Sequence, residues 1–234
     1  MLTLAGALLG SVFASVSTSD FMQHLDRQVH AIHCSFIPGA GKELGESGCK
    51  AVMMSPYSSF FRESVWGGVP VSLWALATFA FLLYRAGFLL WRGRPSRAET
   101  TFLLAATALP VLMTLVYGYL SVAKVGETCK VCVGIYLSSG LVFVGALLAH
   151  LKNPAPQDFG SPMGKFAAWF SEGVLFVGVL SATYLIFTPS PDPKTSLTGC
   201  GSLVSGDDPN EVMIPLPSGK GETAIEVLDP LCPA

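Results

Sequence analysis

Five long stretches of this chain carry no charged side chain: residues 1–19, 67–84, 100–123, 131–149 and 173–191. The third is 24 residues long. As a helix it spans about 36 Å, more than the roughly 30 Å hydrocarbon core of a bilayer. Backbone groups in lipid have no water to bond, so runs of this length must fold as helices. The composition agrees. Of 234 residues, 51% are hydrophobic and 13% charged, against roughly 25% charged in a soluble domain. The net charge of −2 provides no basic field for nucleic acid. The fold class expected is an all-α, multi-pass membrane protein.

The first run admits a rival reading, a cleaved signal peptide, since Ala14-Ser15-Val16-Ser17 offers small residues. The positive segment that opens a signal peptide is missing, and the run reads as a first transmembrane helix. Pro110 in the middle of the third run is expected to kink it. The connection 85–99 reads as a short basic loop, with Arg85, Arg92, Arg94 and Arg97 against one acid, and Lys152 and Lys165 flank the next connection on that side. By the positive-inside rule these face the cytoplasm, with the N-terminus. All six cysteines (Cys34, Cys49, Cys129, Cys132, Cys200 and Cys232) then fall on the other side, where disulfides persist.

Cys129-Lys130-Val131-Cys132 stands where the fourth run begins. At a helix start, two cysteines three apart lie close enough to form a disulfide. The helix N-terminus and Lys130 both favour a thiolate there. A redox-active pair is the reading preferred, with a structural disulfide as the alternative. Cys34 and Cys49 flank a Gly-rich connector in the first outer loop. That pair is either a staple or an exchange partner for the first. A zinc site shared by the two pairs is disfavoured on an oxidising side.

Tyr136 follows Cys132 by one helical turn and shares its face. It is a hydrogen-bond donor for a carbonyl ligand or an interfacial anchor. Ser55-Pro56 reads as an N-cap and first turn, so a short helix lying at the membrane surface is expected from about Pro56. His24, His30 and His33 have no partner at metal-ligand spacing and read as solvated. A membrane-edge dithiol needs a two-electron partner, and a lipid-soluble quinone is the natural one.

Taken together, these pieces resemble the vitamin K epoxide reductase family in its bacterial form. The match rests on Cys34 and Cys49, Cys49-Lys50-Ala51-Val52-Met53-Met54-Ser55-Pro56, Trp66-Gly67-Gly68-Val69-Pro70, and Cys129-Lys130-Val131-Cys132 with Tyr136. The resemblance covers roughly residues 1–150. It implies a four-helix transmembrane bundle around a quinone of menaquinone or ubiquinone type, plus a fifth transmembrane helix. It implies that Cys132 lies beside the quinone, that Cys129 exchanges with Cys49, and that Ser55 and Tyr136 line the quinone pocket. It further implies that Cys34 and Cys49 take electrons from a thioredoxin-like partner, in a bacterial inner membrane with the cysteines extracytoplasmic. The function implied is a thiol:quinone oxidoreductase that makes disulfides. Reduction of a quinone epoxide by the same cysteines is an alternative, as is a scaffold with structural disulfides only. The loop between Cys34 and Cys49 is longer than the family's usual one.

Bacterial members are often fused to a thioredoxin-like domain. The ending Val227-Leu228-Asp229-Pro230-Leu231-Cys232-Pro233-Ala234 resembles the first strand and half of the C-x-x-C of such a domain. The organisation expected is a bundle over 1–152, a linker and fifth helix over 153–191, an extracytoplasmic linker over 192–223, and the start of a truncated thioredoxin-like domain over 224–234. Cys232 would be the first cysteine of an incomplete motif. Cys200 matches nothing in the pattern.

Overall fold

The computed structural model describes residues 1–26, 31–37, 42–43, 48–62, 64–93, 95–153 and 163–188. Among them are five helices long and apolar enough to cross a membrane. They are α1 (Leu2–Gln23), α3 (Val71–Arg92), α4 (Arg97–Leu120), α5 (Lys130–Leu151) and α6 (Met163–Phe187). A short helix, α2 (Gly48–Met53), lies in the loop after α1. Two minimal hairpins complete the loop. Strand β1 (Ile32–His33) pairs antiparallel with β2 (Lys42–Glu43), and β3 (Ser59–Phe60) with β4 (Val69–Pro70). The chain is an all-α membrane protein, as expected from its uncharged runs.

Helix α1 packs along both α5 and α3, and α4 closes the bundle mainly against α5. Glycines make the close approaches possible, as small residues do where lipid supplies no hydrophobic drive between helices. A Cβ on Gly145 of α5 would lie 2.5 Å from the Thr3 backbone nitrogen. One on Gly134 would lie 2.7 Å from the Phe13 ring, and one on Gly10 of α1 would lie 2.5 Å from the Phe79 ring. Phe79, Leu82 and Val142 are fully buried where these helices meet. Helices α3 and α4 touch each other far less.

The charged ends are tied as the sequence chemistry dictates. Ser96 and Glu99 form a capping box at the start of α4: Ser96 Oγ accepts the Glu99 N–H at 3.2 Å, and Glu99 Oε2 accepts the Ser96 N–H at 2.8 Å. Arg97 donates to the His150 carbonyl at 2.7 Å, joining α4 to the end of α5. Gly93 ends α3 at φ 71°, a conformation that suits glycine.

Three expectations need correction. The short loop helix does not start at Pro56; it ends at Met53. Ser55 Oγ donates back to the Val52 carbonyl at 2.8 Å and so closes a helix end instead of opening one. After it the chain turns and pairs β3 with β4, which a helix would forbid. Second, Arg85 is not in a connecting loop. It lies inside α3, 4% exposed, paired with Glu172 of α6 at 3.3 Å and stacked over Trp169, 5.0 Å from its ring centroid. Third, His33 is not simply solvated, for a reason given below. The expected strand at 224–228, Cys200 and Cys232 lie outside the described residues.

Overpacking a well-filled helix contact costs about 1–3 kcal/mol. Gly145→Val therefore lowers the thermal-unfolding midpoint in detergent. Gly140→Val, whose Cβ meets nothing within 4 Å, leaves it near wild type.

Candidate functional site

The site begins where α5 begins. Cys129 is the N-cap of α5, and its Sγ accepts the Cys132 backbone N–H at 3.3 Å. Both thiols are free. The Cys129 thiol is held below its ordinary range. The largest cause is the hydrogen bond with the Cys132 side chain. Burial opposes it, the N–H groups of Cys132 and Val131 add to it, and the Asp20 charge works against it. The helix start thus favours the thiolate at Cys129.

Cys34 and Cys49 are joined in a disulfide. Cys34, Cys49 and Cys129 are buried in one apolar cluster with Phe13, Phe21 and Ile32, and Cys132 packs against it. The loop disulfide and the helix dithiol therefore share a single packed body. Two contacts bring the loop there. A Cβ on Gly48, the residue before Cys49, would lie 2.8 Å from the carbonyl oxygen of Thr128, the residue before Cys129. That neighbour is backbone and cannot swing away, so only glycine lets α2 seat this closely. On the other side, Asp20 at the end of α1 is 2% exposed. Its carboxylate accepts the His33 N–H at 2.9 Å and faces His33 Nδ1 at 2.7 Å. This pair pins β1, and with it Cys34, to the bundle. The spacing of Asp20 and His33 follows no motif, so the sequence offered no sign of it.

A cavity of about 570 Å³ opens beneath the dithiol, between the thinly packed α3 and α4. Its wall is mainly apolar, with Phe79, Leu109, Met113 and Ile135 among its residues. Size and lining suit a small-molecule site, which is apolar with few convergent polar groups. Cys132 lines the cavity and Cys129 does not. Ser55 and Tyr136 line it too, so the structure gathers these with Cys132 in one space. The turn 55–60 covers one end, with Phe60 stacked on Trp74 at 5.0 Å between centroids. Arg62 braces that turn by donating to the Ser55 carbonyl and to Ser59 Oγ. Residues not singled out from sequence also contribute. Tyr117 of α4 faces the cavity, as does Val125 of the π-helical turn (Ser121–Val125) that continues α4. Among the described residues no group of three or more His, Cys, Asp or Glu is placed to hold a metal ion.

Cys132→Ala removes the largest influence lowering the Cys129 thiol. Cys129 should then titrate at higher pH than in wild type, read from thiolate ultraviolet absorbance. An unchanged or lower midpoint would contradict the assignment of cause.

Comparison with known families matches residues 1–147 to the Vitamin K epoxide reductase family. Comparison with curated proteins returns no match.

Proposed function

The chain belongs to the vitamin K epoxide reductase family and is a multi-pass membrane oxidoreductase; on that premise we propose that it oxidises protein thiols and passes their electrons to a membrane quinone. One observation carries this reading. Of the two free thiols, Cys132 faces an apolar cavity while Cys129 is buried with the Cys34–Cys49 disulfide. The pair thus divides its work between a lipid-side and a loop-side partner.

The relay has two exchanges. Cys34 and Cys49, reduced by a thioredoxin-like partner, meet an oxidised Cys129–Cys132 pair. The Cys49 thiolate attacks Cys129 Sγ and expels Cys132 as thiolate. Cys34 then attacks Cys49 and releases Cys129. A low thiol pKa makes Cys129 a good leaving group in that second step. The products are a Cys34–Cys49 disulfide and two thiols at Cys129 and Cys132, the arrangement described above. A quinone held in the cavity supplies the acceptor for two electrons and two protons. Cys132 presents its sulfur to that space, and Cys129, one turn away, closes the disulfide behind it. The phenol of Tyr136 is placed to donate to a carbonyl, and the apolar wall excludes water. Ser55 and Tyr136 are the pocket residues in this reading.

The end bearing Arg92, Arg97, Lys152 and Lys165 faces the cytoplasm, and the cysteine end faces the outside of a bacterial inner membrane. A formed disulfide beside a free dithiol favours this function over a scaffold with structural disulfides alone. Assay with a quinone and with its epoxide separates quinone reduction from epoxide reduction.

In purified protein, Cys132→Ala should abolish quinone reduction by a dithiol donor; full activity in that variant would sink the proposal. Gly48→Ala should slow turnover with a protein thiol donor about tenfold or more. It should spare turnover with a small dithiol that reduces Cys129–Cys132 directly.

A further inference from the structure

Many hydroxyl groups line the cavity, but they differ in whether their proton is free. Ser55 Oγ donates to the Val52 carbonyl at 2.8 Å, and Ser58 Oγ to the Ser55 carbonyl at 2.9 Å. Thr78 Oγ1 donates to the Trp74 carbonyl at 2.8 Å, Thr114 Oγ1 to the Pro110 carbonyl at 2.9 Å, and Ser139 Oγ to the Ile135 carbonyl at 3.0 Å. A hydroxyl has one proton. These five residues therefore turn only lone pairs toward a ligand. Ser121 Oγ donates to the Glu127 carbonyl at 2.6 Å, and Ser72 Oγ accepts the Thr18 hydroxyl at 2.9 Å. Ser17 within α1 reaches the carbonyl four residues back by simple rotation. Tyrosine has no such outlet, because its rigid ring carries the hydroxyl away from its own backbone. Lone pairs repel a carbonyl oxygen, so the hydroxyls that already donate to a carbonyl give a carbonyl ligand no proton, whereas the tyrosine phenols can.

Three tyrosines line the cavity: Tyr57, Tyr117 and Tyr136. Tyr57 lies in the covering turn and is 42% exposed. Tyr117 lies on the cavity face of α4, which repeats at Pro110, Met113, Thr114, Tyr117 and Leu120. Its neighbour Gly118 leaves room for the Tyr136 ring, whose Cε2 is 3.9 Å from where a Cβ would stand. The two phenols thus flank the space beside Cys132 from facing helices. Among the described residues neither hydroxyl has a hydrogen-bond partner.

Building on the quinone reading above, we infer that Tyr117 is a second hydrogen-bond donor to the quinone, acting beside Tyr136. Reduction gathers negative charge on the carbonyl oxygens, so a donor preorganised in an apolar cavity stabilises the reduced form more than the oxidised one. Ser55 keeps its place in the wall, where it holds the turn and accepts rather than donates.

The test is equilibrium binding to full-length protein in lipid nanodiscs. A Cys132→Ser background prevents turnover, and quenching of tryptophan fluorescence reports binding, with Trp74 in the cavity wall. The probes are a short-chain naphthoquinone and naphthalene, its counterpart without carbonyls. Losing one hydrogen bond of about 1 kcal/mol weakens affinity about fivefold. Tyr117→Phe should show that loss for the naphthoquinone and none for naphthalene, while Tyr57→Phe changes neither. Unchanged naphthoquinone binding in Tyr117→Phe, with a loss in Tyr136→Phe, would overturn the role of Tyr117 and leave the quinone reading standing. Equal weakening of both probes would also overturn it, since shape and not a donor would then have been removed. No binding of either probe to the parent protein would overturn the quinone reading itself.

Discussion

The close contact of α1 with both α3 and α5 shapes everything else in the molecule. At Gly10, Gly134 and Gly145 the missing side chains let neighbouring helices approach to ring or backbone distance. Helices held that tightly on one side of the bundle leave little freedom to close the other side. Helices α3 and α4 meet sparsely, and the cavity occupies the space between them. The chemistry then sits where the bilayer tolerates it. Inside the hydrocarbon, an unpaired polar group costs several kcal/mol. The dithiol is accordingly placed at a helix start, where orphan N–H groups are present to be capped, and Cys129 Sγ accepts one of them.

The loop disulfide depends on two contacts of very different kinds. Gly48 against Thr128 is a contact of absence, in which any side chain would collide with backbone. Asp20 with His33 is a contact of hydrogen bonding, made by a carboxylate that is itself buried. One sets how near Cys49 comes to Cys129, and the other fixes the strand that carries Cys34. The loop that carries the disulfide is therefore clamped on both flanks, close to each cysteine.

Much of this was legible in the residues. Long uncharged runs announce spanning helices because lipid permits almost nothing else, and all five appear. Cys129 at a helix start followed from the edge of such a run. The loop was harder to read. Ser55-Pro56 has the local grammar of a helix beginning, but the pairing of Ser59–Phe60 with Val69–Pro70 takes that segment into a hairpin. Local preference gave way to a contact ten residues on. Arg85 looked like loop because charge in a membrane run is rare; here Glu172 and the faces of Trp169, Phe88 and Phe102 accommodate it. Asp20–His33 and Tyr117 depend on which helices meet, and no spacing within one segment encodes that. Ser55 is the subtlest case. It lines the cavity, yet its proton is directed to the Val52 carbonyl.

Helix α6 begins beyond the residues that match the family, at Met163. It is nonetheless fastened to α3 by the Arg85–Glu172 pair, and to the backbone just before β4 by Tyr184, whose hydroxyl donates to the Gly68 carbonyl at 2.9 Å. Between those two points Val177 reaches the cavity wall. The boundary of the family unit and the boundary of the cavity are thus different lines. What ancestry delimits as a four-helix module is completed, as a container, by a helix from outside it. A change at Val177 would therefore reshape the cavity wall without touching a single cysteine.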